Sequence, residues 1–342
     1  MKWKLFITAC VSAMAAIFPE NGITCGASED PHDYFTSFFS NKTGTDAAYK
    51  PFYYTSLLKF YDDVDAWYNE PDSLSFVNNE LAEEWKVYGK GATLTDAIQL
   101  VYFTKPESLK ALAESLQTGK ALPASIHKNS LAASFVRDKK VEAVQYLAFT
   151  QKTAPVSNVS AWEEGSKDSL LINRYIAEAT NAYSKTTDPF IKNKYAFQRC
   201  KLAFYNNRYA DCIRWYDEHF TESNTSAVNQ LALSYKAGSF FRTGKPDGAA
   251  YLYSKAFTLS DYNKKGNYTG FLWASDFCNQ GLLPAYTALC KNNAEKAVLT
   301  AMFGMYGSNY RLDVLQKVHA LDPASPLLPL LAAREVNKLE EQ

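Results

Sequence analysis

A surplus of charge of either sign is missing from this 342-residue chain, in which Lys and Arg number 36 and Asp and Glu also number 36. Nucleic-acid affinity rests on clustered cations that neutralise phosphates, so the balance argues against a nucleic-acid partner. It argues equally against a polybasic membrane-surface protein. Glycine (15) and proline (13) are scarce, which favours long regular elements over loop-rich ones. Beyond the N-terminus no stretch reaches the length and apolarity of a membrane-spanning helix. Alternation of apolar and polar residues over more than four positions is hard to find, and no strand–Gly-loop–helix unit for a nucleotide occurs. HExxH, GxSxG and GxxxxGKS/T are absent, as are CxxC and HxxxH spacings, so neither a metal nor a cofactor is expected. The histidines, His32, His127, His219 and His319, stand in no catalytic spacing to a Cys or carboxylate. Asp62-Asp63-Val64-Asp65 opens like a calcium loop but lacks the Gly and Glu that such a loop needs further on.

What is present is apolar mass, with hydrophobic residues at 47%, Tyr at 23 and Phe at 21. That is ample for a packed core and excludes wholesale disorder. From about Ser56 the chain is a succession of helix-length segments with short polar breaks. Helices are expected from Leu57 to Glu70, Ser75 to Val87 and Thr93 to Tyr102, the last with Thr93 as cap and Asp96 near a capping box. Pro106 opens the next and Gly119 stops it. Further helices are expected near 129–137, 139–151, 170–184 and 189–206, with a Pro/Ser break at 153–160. The fold class is all-α.

Met1-Lys2-Trp3-Lys4 precedes the apolar run Leu5 to Phe18 and the helix-breaking Pro19-Glu20-Asn21-Gly22. A run of this length falls short of the ~20 residues of a membrane-spanning helix and fits a signal peptide, so export is expected. Gly22-Ile23-Thr24-Cys25 resembles a bacterial lipobox, with Thr24 where a smaller residue is usual. Two readings stand: lipidation at Cys25, or plain secretion after cleavage at Ala27.

An internal period is visible at an offset of 37 residues. Ala196, Cys200, Ala203, Cys212, Tyr216 and His219 align with Leu233, Ala237, Phe240, Ala249, Tyr253 and Ala256. Small residues let paired helices approach, and aromatics fill the groove between neighbouring pairs. This resembles the tetratricopeptide repeat, a helix-turn-helix unit of about 34 residues. Arg199 and Lys236 depart from it, standing where an aliphatic residue is preferred, as does Ala203 where an aromatic is. Arg137 to Ala143 reads as the turn of an earlier, degenerate pair, and Leu321-Asp322-Pro323 as the tail of a late one. The whole chain also resembles uncharacterised exported helical-repeat proteins of Bacteroidota, which together with the leader implies the bacterial cell envelope.

The resulting organisation is a signal peptide at 1–25, an irregular aromatic-rich segment at 26–55, degenerate helix pairs at 56–160 and tetratricopeptide-like repeats at 161–342. The stripe of Leu327, Leu330, Leu331, Val336 and Leu339 stops within one helix of a further pair. This implies a truncated or split product, or a capping subunit. Cys200 and Cys212 occupy the two small positions where paired helices touch. They are a disulfide candidate in an oxidising compartment, or simply buried small residues; Cys278 and Cys290 repeat the spacing. The expected function is a non-catalytic scaffold, an α-solenoid of antiparallel hairpins that binds a protein or peptide partner. The alternatives are a surface glycan-binding protein on the same frame and an enzyme whose residues meet only in three dimensions.

Overall fold

The computed structural model describes residues 47–53, 77–157, 168–221, 225–307 and 309–340. The leader, Cys25, His32 and the helix expected to open at Leu57 lie outside the described residues. Among the described residues there is no strand. A 3₁₀ turn at Ala47–Phe52 is followed by α1 (Asn79–Tyr88) and α2 (Leu94–Ile98), which runs into a π turn at Gln99–Phe103. Next come α3 (Pro106–Thr118), α4 (Ser130–Arg137), α5 (Val141–Ser157), α6 (Ser169–Lys185), α7 (Pro189–Tyr205) and α8 (Tyr209–His219). Then follow α9 (Ala227–Arg242), α10 (Pro246–Leu259), α11 (Lys264–Ala274), α12 (Leu283–Thr287), α13 (Asn293–Gly304), α14 (Leu312–Leu321) and α15 (Leu328–Glu340). No helix among the described residues is long and apolar enough to cross a membrane.

Local chemistry sets the boundaries. The side chains of Asn78, Thr93, Asn129, Asp168, Asp188, Ser226 and Asn292 each accept a backbone N–H in the first turn of the helix they precede. The Asp96 carboxylate reaches beyond its own helix to the backbone N–H of Ser130 at 3.0 Å, so the start of α4 is tied to α2. The break expected at 153–160 comes later, because α5 continues through Pro155 to Ser157. Pro155 lies in the last turn, where its missing N–H costs one bond. The hydroxyls of Thr153 and Ser157 bond back to the carbonyls of Phe149 and Thr153, both at 3.1 Å.

Four helix ends share one turn. After α4, α7, α9 and α11, a residue in the left-handed region (Lys139, Asn207, Gly244 and Asp276) donates its N–H three residues back. The next N–H in each case donates five residues back: Lys140 to Phe135, Arg208 to Ala203, Lys245 to Phe240 and Phe277 to Leu272. This is the Schellman arrangement, which satisfies the last carbonyls of a helix and turns the chain sharply. The turns at Asn207 and Gly244 sit 37 residues apart, atom for atom at the offset read from the sequence.

Neighbouring helices pack in chain order, α7 against α6, α8 and α9, and α10 against α9 and α11. The buried apolar side chains form two clusters. One runs from Trp85 to Leu233 with Ala256, and so joins side chains from both sides of residue 160. The other joins Tyr49, Phe52 and Tyr53 to residues from Ala249 to Ala333. Of the expected C-terminal stripe, Leu327, Leu330 and Leu331 are buried here, whereas Val336 and Leu339 are exposed. Segment 47–53 lies on α15: Arg334 donates to the carbonyls of Phe52 and Met305, and Asn337 donates to that of Tyr53 at 2.9 Å. Cover that the sequence reading assigned to another subunit thus comes in part from the chain itself.

Candidate functional site

Helix α1, the π turn, α5, α7, α9 and the segment after α10 enclose a cavity of about 470 Å³, within the size range of small-ligand sites. Its inner wall is formed by Trp85 and Tyr146, stacked at 6.0 Å between ring centroids and both buried. Tyr262, 43% exposed, stands at the outer side. The π turn matters because its wider winding brings Val101 and Tyr102 together onto the wall. The Tyr102 hydroxyl then locks the start of α1, accepting from the Asn78 N–H and donating to the Asn78 carbonyl, both at 3.2 Å. From α5, Gln151 donates to the Thr104 carbonyl at the end of the π turn. From α7, Gln198 donates to the Tyr146 hydroxyl at 3.2 Å.

Electrostatically the cavity is unusual in its cation. Lys201 lines it without a hydrogen bond or ion pair to any described residue, and burial lowers its ammonium below the ordinary lysine value. The wall carries no carboxylate among the described residues. The Asn78 side chain, 2% exposed, uses its Oδ1 to cap Leu81 at 3.1 Å, while its Nδ2 has no acceptor among the described residues. Burial raises the hydroxyls of Tyr102, Tyr146, Tyr235 and Tyr262 above the usual phenol range, so all four stay protonated donors near neutrality.

The residues singled out from the sequence lie elsewhere. Leu233, Ala237, Ala249 and Ala256 are buried, with Phe240 and Tyr253 partly so, all in the packing of α9 and α10. Cys200 and Cys212 are fully buried thiols between α7 and α8, and the Cys200 thiol donates to the Cys212 carbonyl at 3.8 Å. The closeness of the two thiols pushes Cys200 up and Cys212 down from the ordinary thiol value. Cys278 is a buried thiol pushed up to about 12, and Cys290 a half-buried one pushed up to about 11, both by desolvation. His219 bonds to the Tyr183 hydroxyl at 3.0 Å and Asn193 Oδ1 at 2.6 Å. Among the described residues no group of three His, Cys, Asp or Glu is placed to hold a metal ion.

The two departures from the repeat pattern have a physical role. The Arg199 guanidinium lies 4.5 Å from the ring centroids of both Tyr183 and Trp215. The Lys236 ammonium lies 4.7 Å over Tyr216 and 2.6 Å from Asp217. Their stems pack as an aliphatic residue would, and the charges rest on aromatic faces. The cavity itself escaped sequence reading because Asn78, Tyr102, Gln151, Lys201 and Tyr235 come from five separate segments. A lysine among Cys200, Leu202 and Ala203 on an otherwise buried helix was the available signal. Comparison with protein-family models, with curated proteins and with solved structures returns no match.

Proposed function

We propose that the chain is an exported, non-catalytic helical-repeat scaffold that binds a segment of a protein or peptide partner. In this reading, antiparallel hairpins of tetratricopeptide type stack as a short α-solenoid. The pairs α7–α8 and α9–α10 are its best-formed units, and α4–α5 is a degenerate one. The observation that supports it most is the recurrence of one Schellman turn at the 37-residue offset, with fully buried small residues (Cys200, Cys212, Ala237, Ala249) beside it. First helices of successive hairpins line the concave side of such stacks. Here α7 and α9 touch and jointly wall the cavity. Export to the cell envelope rests on the run from Met1 to Gly22, with a lipid on Cys25 or without one.

A second reading, glycan binding, is favoured by the same cavity, whose tyrosines and side-chain amides suit a hydroxylated ring as well as a peptide. Arrays of extended peptides and of glycans, probed with the full chain and with Ala154→Trp, separate the two. Ala154 lines the cavity, and a Trp there fills it. The scaffold reading expects peptide binding that the substitution removes. Binding to glycans alone would transfer the function to the second reading, and binding to neither would end both. For location, Cys25→Ala is expected to move the protein from the membrane to the aqueous fraction of the native host. A wild-type protein already found in the aqueous fraction would exclude the lipid.

A further inference from the structure

We infer that Cys200 and Cys212 are a disulfide pair, closed in the oxidising compartment where the exported chain folds, and that the bond staples α7 to α8. The compartment rests on the export reading, whereas the pairing rests on the geometry of the hairpin itself.

In the structure both residues are thiols, and both are fully buried where α7 packs on α8. Cys200 Sγ lies 3.8 Å from the Cys212 carbonyl oxygen, so this side chain abuts the backbone of the opposite helix. A disulfide needs Cβ atoms about 3.8 Å apart, an approach that small residues at a helix contact permit. The two sulfurs are close enough to move each other's proton affinity in opposite directions. A spacing of twelve does not by itself bring cysteines together, as Cys278 and Cys290 show. The Cys278 thiol is taken up by the Met302 carbonyl at 3.6 Å and the Ser275 hydroxyl at 3.8 Å, while Cys290 is half-buried with Glu295 and Lys296 nearby.

Packing alone does not account for the two sulfurs. One hairpin later, 37 residues on, the same positions hold Ala237 and Ala249, which are also fully buried. Alanine therefore meets the need for smallness at this contact. A thiol is a weak donor, and a carbonyl at 3.8 Å returns little to it. As a covalent link the pair closes a short loop and removes freedom from the unfolded chain.

Closure is a thiol–disulfide exchange with a donor disulfide, of the kind carried by an exchange catalyst or by oxidised glutathione. The thiolate of one cysteine attacks a donor sulfur, and the other donor sulfur leaves as thiolate with the bonding electrons. The second cysteine, deprotonated, attacks the chain's own sulfur in this mixed disulfide and displaces the second donor thiolate. The two cysteine protons pass to the two donor thiolates, so the donor gains the two electrons that the pair loses. Neither sulfur is exposed in the folded hairpin. Exchange therefore occurs before α8 docks on α7, and the finished bond is shielded from reductant.

The test unfolds and reduces the full chain, refolds it in glutathione buffers of graded oxidised fraction, then alkylates it and maps the peptides by mass spectrometry. The expected result is a linked peptide pair joining residues 200 and 212, with Cys278 and Cys290 alkylated. Reduction should lower the Tm by roughly 3–6 °C. It should proceed at least about ten-fold faster in denaturant than in the folded chain. Cys200→Ala combined with Cys212→Ala should fold, as the alanine pair of the next hairpin does, with a Tm that ignores reductant. Alkylated cysteines at both 200 and 212 in the most oxidising buffer, a bond to Cys278 or Cys290 instead, or a wild-type Tm indifferent to reductant would overturn the inference. Alkylation of the native host at harvest separates compartment from pairing. A bond found in the cell supports both, whereas a bond formed on refolding with free thiols in the cell keeps the pairing and removes the oxidising compartment, and with it the export reading.

Discussion

At Gly270 in α11 an added Cβ would lie 2.3 Å from Cζ of Tyr253 and within 2.7 Å of two further ring carbons. The ring belongs to α10 and is rigid, so α10 and α11 can touch only where one of them has no side chain. Gly270→Ala is expected to destabilise by about 1–3 kcal/mol in urea unfolding, and Tyr253→Leu in the same chain to recover part of the loss. Lys194 offers a different single-residue test. It is buried in α7, and burial pushes its ammonium down to about 8 despite the Glu84 carboxylate beside it. Between about pH 8 and the ordinary lysine value, the unfolded chain keeps this proton and the folded chain has shed it. The contribution of this group to stability therefore rises with pH from 8 to 10, by at most about 1.4 kcal/mol per unit. The thiols Cys200 (in the reduced chain), Cys278 and Cys290, from about pH 9, and the buried tyrosines, above pH 10, act in the opposite direction, because unfolded thiols and phenols then lose protons that folded ones hold. Lys194→Met should remove the lysine's contribution, so its slope of stability against pH between 8 and 10 is expected to lie below that of the wild type. Equal slopes in the two proteins over that window would contradict this.

Among the elements, the four shared turns differ in what stands at the left-handed position. Gly244 adopts it without cost and has nothing within 4 Å of a would-be Cβ, so only the backbone is at stake there. Gly244→Val is expected to cost about 1–2 kcal/mol. Lys139→Gly at the turn after α4 should gain about 0.5–1 kcal/mol, read as a higher melting temperature. Most helix ends were legible in the sequence because caps and turns are local: Thr93, Pro106, Gly119 and Gly244 announce themselves. The 37-residue offset was legible too, since turn and small-residue positions repeat together. The run of α5 through Pro155 was not, because the cost of a proline depends on how many turns follow it. The π turn at Gln99–Phe103 was not, because its register is set by Tyr102 bonding to Asn78, more than twenty residues away. The cavity was not, for the same reason on a larger scale: its walls are fixed by packing between helices rather than by any one helix.

In the molecule as a whole, two apolar clusters meet across α9 and α10, and the second is closed by a clasp. Phe52 packs edge-on against Phe257 at 5.2 Å and Tyr268 at 5.6 Å, while Arg334 and Asn337 hold the backbone of residues 52 and 53. Arg334→Met removes two bonds from a charged donor, each worth about 1.5–3 kcal/mol. Limited proteolysis is expected to cut near residues 47–53 much faster in this variant, with cleavage in the α7–α8 region unchanged. An equal cutting rate at 47–53 would mean that the aromatic contacts alone hold the segment.

The clasp also sets a timetable for synthesis. Phe52 and Arg334 are separated by 282 positions. At the ~5–20 residues per second of translation, Phe52 leaves the ribosome roughly a quarter of a minute to a minute before its partner exists. The cluster from Trp85 to Leu233 has nearly all its side chains long before then and can close during that interval. Tyr49 and Phe52 must wait in water, or in the keeping of a chaperone, until α10 and α11 supply Phe257 and Tyr268, and the backbone of residues 52 and 53 waits longer still, for the last helix.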